Sequence, residues 1–208
     1  MRILILLSVA ASAWCASYYT VRPDDPKAVY VDGPGAGGDD TAMLQQAIDK
    51  VQQTTRQGVV FLAAGRYRVT KTLYIWPGIR VIGYGATRPV LALPPHTPGF
   101  EDKDRENLMV FFAGGRRPGN APQDAGAGTF YSAISNVDLE IGEGNSGAVG
   151  VRAHYAQHCF LAHMDFGIGP GIAGIHEAGN VAEDVHFHGG RFGIWSTPIP
   201  ARRHWPGW

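Results

Sequence analysis

An imperfect repeat in the second half of the chain is the feature that most restricts its fold. The segments NVDLEIG, HMDFGIG and DVHFHGG each carry an apolar residue in second place. These residues are Val137, Met164 and Val185, which lie 27 and 21 residues apart. Repeats of this length are typical of solenoids, in which each repeat forms one rung and stacks only on its neighbours.

A second series interleaves with the first. GAVGVRA contains Val151, GIAGIHE contains Ile175 and RFGIW contains Ile194, at spacings of 24 and 19 residues. Both series consist of short apolar stretches with glycine at the turns. Because one rung cannot bury its apolar face alone, the rungs must stack to form a core. The pattern predicts an all-β chain coiled as a parallel β-helix.

The first half of the chain also indicates short strands. GVVFLAAGRYRV predicts strand, turn and strand, TLYIWPGIRVIGYG continues after a turn at Pro77 and Gly78, and PVLAL predicts one more strand. Glycine and proline together make up 42 of 208 residues, about a fifth, against an average near 12%. Hydrophobic content is nonetheless 45%, so we predict a folded chain with many turns rather than a disordered one.

One amphipathic helix precedes the strands, at about residues 40–53. Leu44, Ala47, Ile48 and Val51 recur with the spacing of one helix face. The paired aspartates before it could be catalytic or could start the helix. A carboxylate at Asp40 would accept hydrogen bonds from free backbone N–H groups and meet the positive end of the helix dipole. We therefore interpret the pair as scaffold, with an N-cap at Asp40 or Thr41.

The helix motif GDDTAMLQQAID, followed by GVVFLAAGRYRV, LYIWPGIRVIGYG and the rungs, resembles the N-terminal part of the pectate-lyase-like superfamily. The resemblance covers about residues 30–195. It implies a right-handed parallel β-helix whose short N-terminal helix caps the open end. It also implies a carbohydrate-handling scaffold, as in polygalacturonases, pectate lyases, rhamnogalacturonases, exo-glucanases, phage tailspikes and epimerases. A shared fold does not determine the reaction.

Alternation along the rungs predicts which side chains face outward. Val137, Leu139 and Ile141 should point inward and Asp138 outward, and the next rungs follow the same rule. Their outward residues in the same position are Asp165 and His186. Rungs about 4.8 Å apart would stack these three side chains in a column.

We consider Asp138, Asp165 and His186 as tentative catalytic residues, because glycoside hydrolysis needs paired carboxylates at short range. Calcium, which lyases of this superfamily bind, is an alternative occupant of such a cluster. An ordinary solvated outer face is the third interpretation. No motif in the sequence predicts another cofactor or a zinc site.

Several other residues have open or structural interpretations. His154, His158 and His163 lie in predicted strand and turn, so a helical zinc pair is not expected. Cys159 is expected to be a buried thiol. Tyr74, Trp76 and Tyr84 could stack on sugars, whereas Tyr67, Phe130 and Trp195 could belong to the core. Residues 94–128 are predicted to be a loop-rich insertion around a single strand, LMVFF.

Both ends of the chain differ in character from the coil. Residues 1–17 combine Arg2, an apolar run and small residues, which is typical of a secretory signal peptide. Cleavage is predicted after a residue between Ala13 and Ser17, which would give a secreted protein, extracellular or periplasmic. The β-helix is assigned to residues 18–195. The proline-rich tail at 196–208 cannot make another rung, and we interpret it as the sign of a truncated member or of a longer polypeptide.

Charge restricts the partners. Lys plus Arg and Asp plus Glu number 18 each, so no broad attraction for nucleic acid or anionic membranes is expected. No run of 18 apolar residues predicts a membrane span. Polysaccharide or oligosaccharide is the expected partner.

Two functions remain open: a polysaccharide hydrolase or lyase, which could lack its active site in this chain, and a non-catalytic glycan-binding or structural β-helix. The oligomeric state is open as well.

Overall fold

A computed structural model of the protein describes residues 16–116 and 121–196. Within them the chain forms one helix, α1 (Thr41–Thr54), and short strands. The strands are β1 (Val29–Val31), β2 (Gly58–Ala63), β3 (Arg66–Arg68), β4 (Leu73–Ile75), β5 (Ile79–Tyr84), β6 (Val90–Leu93), β7 (Asn107–Arg116), β8 (Pro122–Asp124), β9 (Ala133–Ser135), β10 (Asp138–Ile141), β11 (Ala148–Arg152), β12 (Phe160–Gly169), β13 (Ala173–His176), β14 (Val181–Gly189) and β15 (Phe192–Trp195).

The strands form two curled sheets in which nearly all neighbours are parallel. One sheet has the order β1-β2-β5-β9-β12-β10-β6-β3, with β14 also paired to β12. The other has the order β15-β13-β11-β7-β4, with β8 paired antiparallel to β7. Strands from successive repeats are neighbours, as a solenoid requires. The predicted parallel β-helix is confirmed.

The rungs stack in the predicted register. Leu139 lies opposite Phe166, and Met164 lies opposite Val185. In the second series Val151 pairs with Ile175. These residues point inward, and Leu139, Met164, Phe166, Val151 and Ile175 are all buried. Both repeat series are therefore rungs of one hydrophobic core.

A bend in each long rung divides the larger sheet into two faces. Strand β12 pairs with β9 before the bend and with β10 after it. The bend lies at His163, and the equivalent corners are Asn136 and Asp184, with φ values of 55°, 58° and 49°. Asparagine, aspartate and histidine are the non-glycine residues most often found in this left-handed region. The first letters of the three repeats, N, H and D, are therefore corner residues.

The corner at Asn136 is buried and its side-chain amide is fully used. It donates to the carbonyl of Gly83 at 2.8 Å and to the hydroxyl of Ser17 at 2.9 Å, and it accepts from the backbone N–H of Tyr18 at 2.8 Å. Ala16 also bridges to Thr87. Ala16 and Ser17 thus pack on the coil, directly before the predicted domain start at residue 18. The rest of the predicted signal peptide lies outside the described residues.

Helix α1 covers the N-terminal end of the coil, as predicted. Leu44, Ala47, Ile48 and Val51 are buried and belong to the common core. The bounds differ from the predicted 40–53 by one residue at each end, which is normal at frayed helix termini.

The aspartates before α1 act differently from the prediction. Asp40 stands at the N-cap, but its carboxylate does not bond the helix N–H groups. It accepts from the backbone N–H of Gly35 at 2.6 Å and of Arg68 at 2.8 Å. Asp39 instead accepts from the N–H of Thr41. Burial alone would raise the pKa of Asp39, but hydrogen bonds from Thr41 and Thr70 outweigh it and lower that pKa. The pair is scaffold, and it joins the helix to the first rung.

The predicted loop-rich insertion at residues 94–128 is only partly loop. LMVFF lies in β7, a ten-residue strand that pairs with β4 and β11 and so belongs to the rungs. The segment after it returns as β8. Glycines and prolines obscured this hairpin in the sequence. Of the predicted tail, residues 197–208 lie outside the described residues.

Gly83 allows two neighbouring turns of the coil to approach closely. A Cβ atom at Gly83 would lie 1.9 Å from the carbonyl oxygen of Asn136. We expect Gly83→Ala to lower the free energy of unfolding by about 1–3 kcal/mol, because the backbone of the rung must shift. Urea unfolding measures this change. The matched control is Gly37→Ala, where a Cβ meets nothing within 4 Å. Equal stability of the two variants would contradict this packing.

Candidate functional site

The three tentative catalytic residues lie in one column on the outer face of the larger sheet. Asp165 pairs with His186 across adjacent strands, and Asp138 is the next residue in that column, beside Asp165. The Asp165 backbone N–H donates to the Asp138 carboxylate at 2.8 Å. His186 Nδ1 lies 2.9 Å from Asp165 Oδ1. The predicted column therefore exists, and its chemical role stays a prediction.

A buried arginine that sequence reasoning missed holds the two carboxylates. The Arg88 side chain is only 2% exposed, and its guanidinium forms ion pairs with Asp138 and Asp165. Arg88 Nε lies 2.8 Å from Asp138 Oδ1 but without the alignment of a hydrogen bond. The contact is an ion pair rather than a hydrogen bond, because two opposite charges attract without strict alignment. The only sequence signal was an arginine directly before the strand PVLAL.

Burial affects the electrostatics of the column. Burial raises the pKa of Asp138, and this effect outweighs the opposing hydrogen bond from Asp165 and the charge of Arg88. His186, by contrast, is half exposed. The column thus presents a His–Asp pair to the solvent, with Arg88 and Asp138 behind it.

The smaller sheet carries a second outward column, made of flat side chains. Tyr74 pairs with Phe111, Phe111 with Arg152, Arg152 with His176, and His176 with Trp195. The column crosses five rungs. The ring planes of His176 and Trp195 are nearly parallel, at 10°, with centroids 4.3 Å apart.

Acidic side chains flank the middle of this flat column. Arg152 Nε donates to both oxygens of Asp124 at 3.0 Å, and its Nη2 donates to Oδ2 at 2.6 Å. His176 Nδ1 forms a short hydrogen bond with Glu106. Desolvation would lower the pKa of Arg152, but the Asp124 carboxylate raises it overall. We call the group of Glu106, Asp124, Arg152 and His176 the polar cluster. In it, two carboxylates lie beside a buried histidine and a firmly charged arginine.

The elements that supply this cluster explain why the sequence did not reveal it. Arg152 and His176 follow Val151 and Ile175 in the second repeat series, so the alternation rule applied there would have placed both outward. Asp124 comes from the hairpin strand β8, and Glu106 directly precedes β7. Both carboxylates lie in the segment interpreted as loop, where no register could be assigned.

The remaining candidates divide between surface and core. Trp76 and Tyr84 are buried, so they do not stack on a ligand, while Tyr67 is buried as expected. Phe130 is exposed, whereas Trp195 is partly buried and packs against a small cluster of buried apolar residues.

Two of the three histidines lie close to carboxylates. His154 lies 3.4 Å from Asp124, and His163 lies 2.8 Å from Asp184. Within residues 16–116 and 121–196 no group of three or more His, Cys, Asp or Glu side chains is arranged for a metal ion. Cys159 is a buried free thiol, and burial raises its pKa.

The stacked rungs, the capping helix and the outward polar columns define a β-helix protein of the pectate-lyase-like class. The chain belongs to the rhamnogalacturonase A/epimerase, pectate lyase-like family, whose model matches residues 32–203. This family is carbohydrate-related. No curated protein matches the chain in sequence. No helix in the described part of the chain is long and apolar enough to cross a membrane.

A solved structure with a similar fold is that of PfbA, a surface adhesin of Streptococcus pneumoniae. The two proteins are 15% identical, with a TM-score of 0.50. The match covers 79% of this chain and 39% of the adhesin chain. At this identity the similarity concerns the fold alone.

The ion pairs of Arg88 provide a test of the first column. We expect Arg88→Met to lower the free energy of unfolding by about 3–5 kcal/mol, because it leaves two adjacent carboxylates without their buried counter-ion. The control is Arg66→Met, which removes an exposed ion pair with Glu140 and should cost about 1 kcal/mol or less. Chemical denaturation compares them, and similar values would refute the structural role of Arg88.

Proposed function

We propose that this protein is a secreted polysaccharide-processing β-helix that binds its polymer along the flat column of the smaller sheet. The observation that supports this most strongly is the uninterrupted column Tyr74, Phe111, Arg152, His176 and Trp195, with carboxylates at its centre. The carbohydrate-related family is consistent with it.

The shape of the column suits an extended sugar chain. Five rungs at about 4.8 Å span roughly 19 Å along the coil. Sugar rings have an apolar C–H face that packs on flat aromatic rings, while their hydroxyls bond polar groups at the edge. The column offers rings at both ends and charged groups between them, so the polymer would cross the polar cluster in the middle.

The polar cluster has the groups that cleavage of a glycosidic bond requires. Hydrolysis needs one carboxylic acid as a proton donor and one carboxylate as base or nucleophile. We assign the proton-donor role to Glu106, which shares a short hydrogen bond with His176. We assign the charged role to Asp124, because Arg152 contacts both of its oxygens and places a positive charge beside them. A lyase would use the same carboxylate as a general base.

The column Asp138, Asp165 and His186 is a second candidate catalytic site. One observation favours it: the half-exposed His186 ring lies 2.9 Å from Asp165 and could exchange protons with a ligand. Arg88 occupies the other oxygen of Asp165 and pairs with Asp138, which leaves less carboxylate for chemistry. We therefore rank this site after the flat column. Calcium stays a hypothesis for its carboxylates.

The alternative function is a non-catalytic glycan-binding module. Aromatic and planar side chains dominate the flat column, which suits binding as well as turnover. The similar fold of a protein described as a surface adhesin is consistent with this alternative. In this alternative the protein retains a polymer and releases no product.

For secretion, we propose that the signal peptide ends before Ala16. Ser17 is buried and bonds the corner amide of Asn136, and Ala16 bridges to Thr87. A mature chain that begins at Ala16 or earlier keeps these contacts.

Catalysis can be tested with isosteric substitutions in each column. We expect the protein to release reducing or unsaturated ends from pectin, rhamnogalacturonan or β-1,3-glucan, and Glu106→Gln to reduce that rate by about 10²–10⁴-fold, since it removes an acid–base group. Asp165→Asn, in the other column, serves as the comparison.

The outcomes separate the candidates. Loss of turnover in Asp165→Asn with full turnover in Glu106→Gln would move the site to the first column. A wild-type protein that binds these polymers without product release would favour the non-catalytic alternative.

Binding can be tested at the end of the column. We expect Trp195→Ala to weaken polymer affinity by roughly 3- to 10-fold, because a stacked ring contributes about 0.5–1.5 kcal/mol. Trp195→Phe keeps a ring and should keep most of the affinity. Titration calorimetry with the best polymer measures both. Unchanged affinity in Trp195→Ala would count against binding along this column.

A further inference from the structure

The outer face of the larger sheet carries a cleft that lies across the His163 corner from the column of Asp165. Its volume is about 420 Å³, and its lining includes Tyr19, His158, His163, Asn180 and Glu183. This volume falls in the range of small-ligand sites. The strands beneath it are β9, β12 and β14, which pair side by side.

Two tyrosine–histidine stacks involve histidines that line the cleft. Tyr131 lies on His158 with centroids 5.1 Å apart and planes 10° apart. Tyr18 lies on His163 at 4.4 Å and 6°. Tyr19, which lines the cleft directly, contacts Tyr18 edge to face. Since the stacks fix the orientation of these rings, the aromatic surfaces are preorganised.

These rings are unusually accessible. Among the described residues, eight large hydrophobic side chains are exposed. Tyr19 and Val181 line this cleft, and Tyr18, Phe130 and Tyr131 lie beside it. Tyr131 is 43% exposed and Tyr18 is 65% exposed. Clustered exposed aromatic rings are a common mark of interaction sites, whereas scattered ones are not.

Charge and hydrogen-bonding capacity restrict what the cleft can bind. No lysine or arginine is among the described residues that line it, and Glu183 supplies a negative charge. The corner next to it holds Asp184, whose pKa the hydrogen bond from His163 lowers. An acidic sugar would therefore be repelled. Asn180 and Glu183 are exposed polar groups that can bond hydroxyls.

We propose that this cleft is a second saccharide-binding site, which takes a neutral glycan against the exposed tyrosine rings. It rests on the proposed function only in treating the protein as one that engages carbohydrate. The cleft and the flat column lie on different sheets, so one molecule would hold two glycan segments at once. Two linked binding sites raise the overall avidity without any new contact at either site.

The experiment measures binding of purified wild-type protein by affinity electrophoresis in gels that contain one polymer each. The neutral probes are galactan, arabinan and β-1,3-glucan, and polygalacturonate is the acidic probe. We expect at least one neutral polymer to retard the protein. Tyr19→Ala should weaken that retardation by roughly 3- to 10-fold, because it removes a ring that lines the cleft. Tyr131→Ala should have a similar effect, because it removes the exposed ring stacked on His158, which lines the cleft. Tyr131→Phe keeps the ring and should bind like the wild type.

Gly37→Ala, which lies outside both sites and whose Cβ meets nothing within 4 Å, is the control and should leave all retardation unchanged. Trp195→Ala, on the other sheet, should weaken only the retardation that depends on the flat column. If Trp195→Ala abolishes all binding while both tyrosine variants bind normally, the cleft proposal is overturned and the flat column stands. The opposite result supports the cleft and removes the column.

Retardation by polygalacturonate alone, or by no neutral polymer, also overturns the proposal. Urea unfolding of each variant checks the fold. If Tyr131→Ala unfolds, Tyr19→Ala provides the second measurement. The backbone carbonyl of Tyr19, not its ring, accepts the hydrogen bond from the Gly85 N–H, so removal of the ring leaves that bond in place.

Discussion

In-register pairing of parallel strands from successive rungs is the constraint on which this structure depends. Pairing of Leu139 with Phe166 and of Val151 with Ile175 places like positions directly above one another. Inward positions then form a continuous apolar core that no single rung could bury. Outward positions form columns with a spacing of about 4.8 Å, so side chains far apart in sequence become neighbours.

The same stacking creates an electrostatic problem that the chain meets with arginines. Asp138 and Asp165 lie one rung apart, and two adjacent carboxylates repel each other. Buried Arg88 reaches both of them. On the smaller sheet Arg152 plays a related part, because it contacts Asp124 from the hairpin and His176 from the next rung. Side chains at equivalent positions on successive rungs therefore form clusters that mix acidic, basic and aromatic groups. Such clusters are suitable for binding and proton transfer.

The corners of the coil determine where these columns face. Asn136, His163 and Asp184 each adopt a left-handed conformation that bends the rung. Their side chains also have second roles, since Asn136 holds the N-terminal segment and His163 supports the ring of Tyr18. The bend separates the column of Asp165 from the tyrosine-lined cleft on the other side of the corner. One repeat therefore presents two different surfaces.

The sequence by itself determined the rungs, the helix at the front and the inward or outward direction of each rung residue. Those features follow from local alternation and spacing, which a single strand or helix already expresses. The column of Asp138, Asp165 and His186 could be predicted for that reason, although its role could not. Only the tertiary structure revealed Arg88, the pairing of Arg152 with Asp124, and the contact of His176 with Glu106. Each depends on a turn or hairpin that brings a distant segment over a rung, and alternation along one strand holds no information about which segment that is.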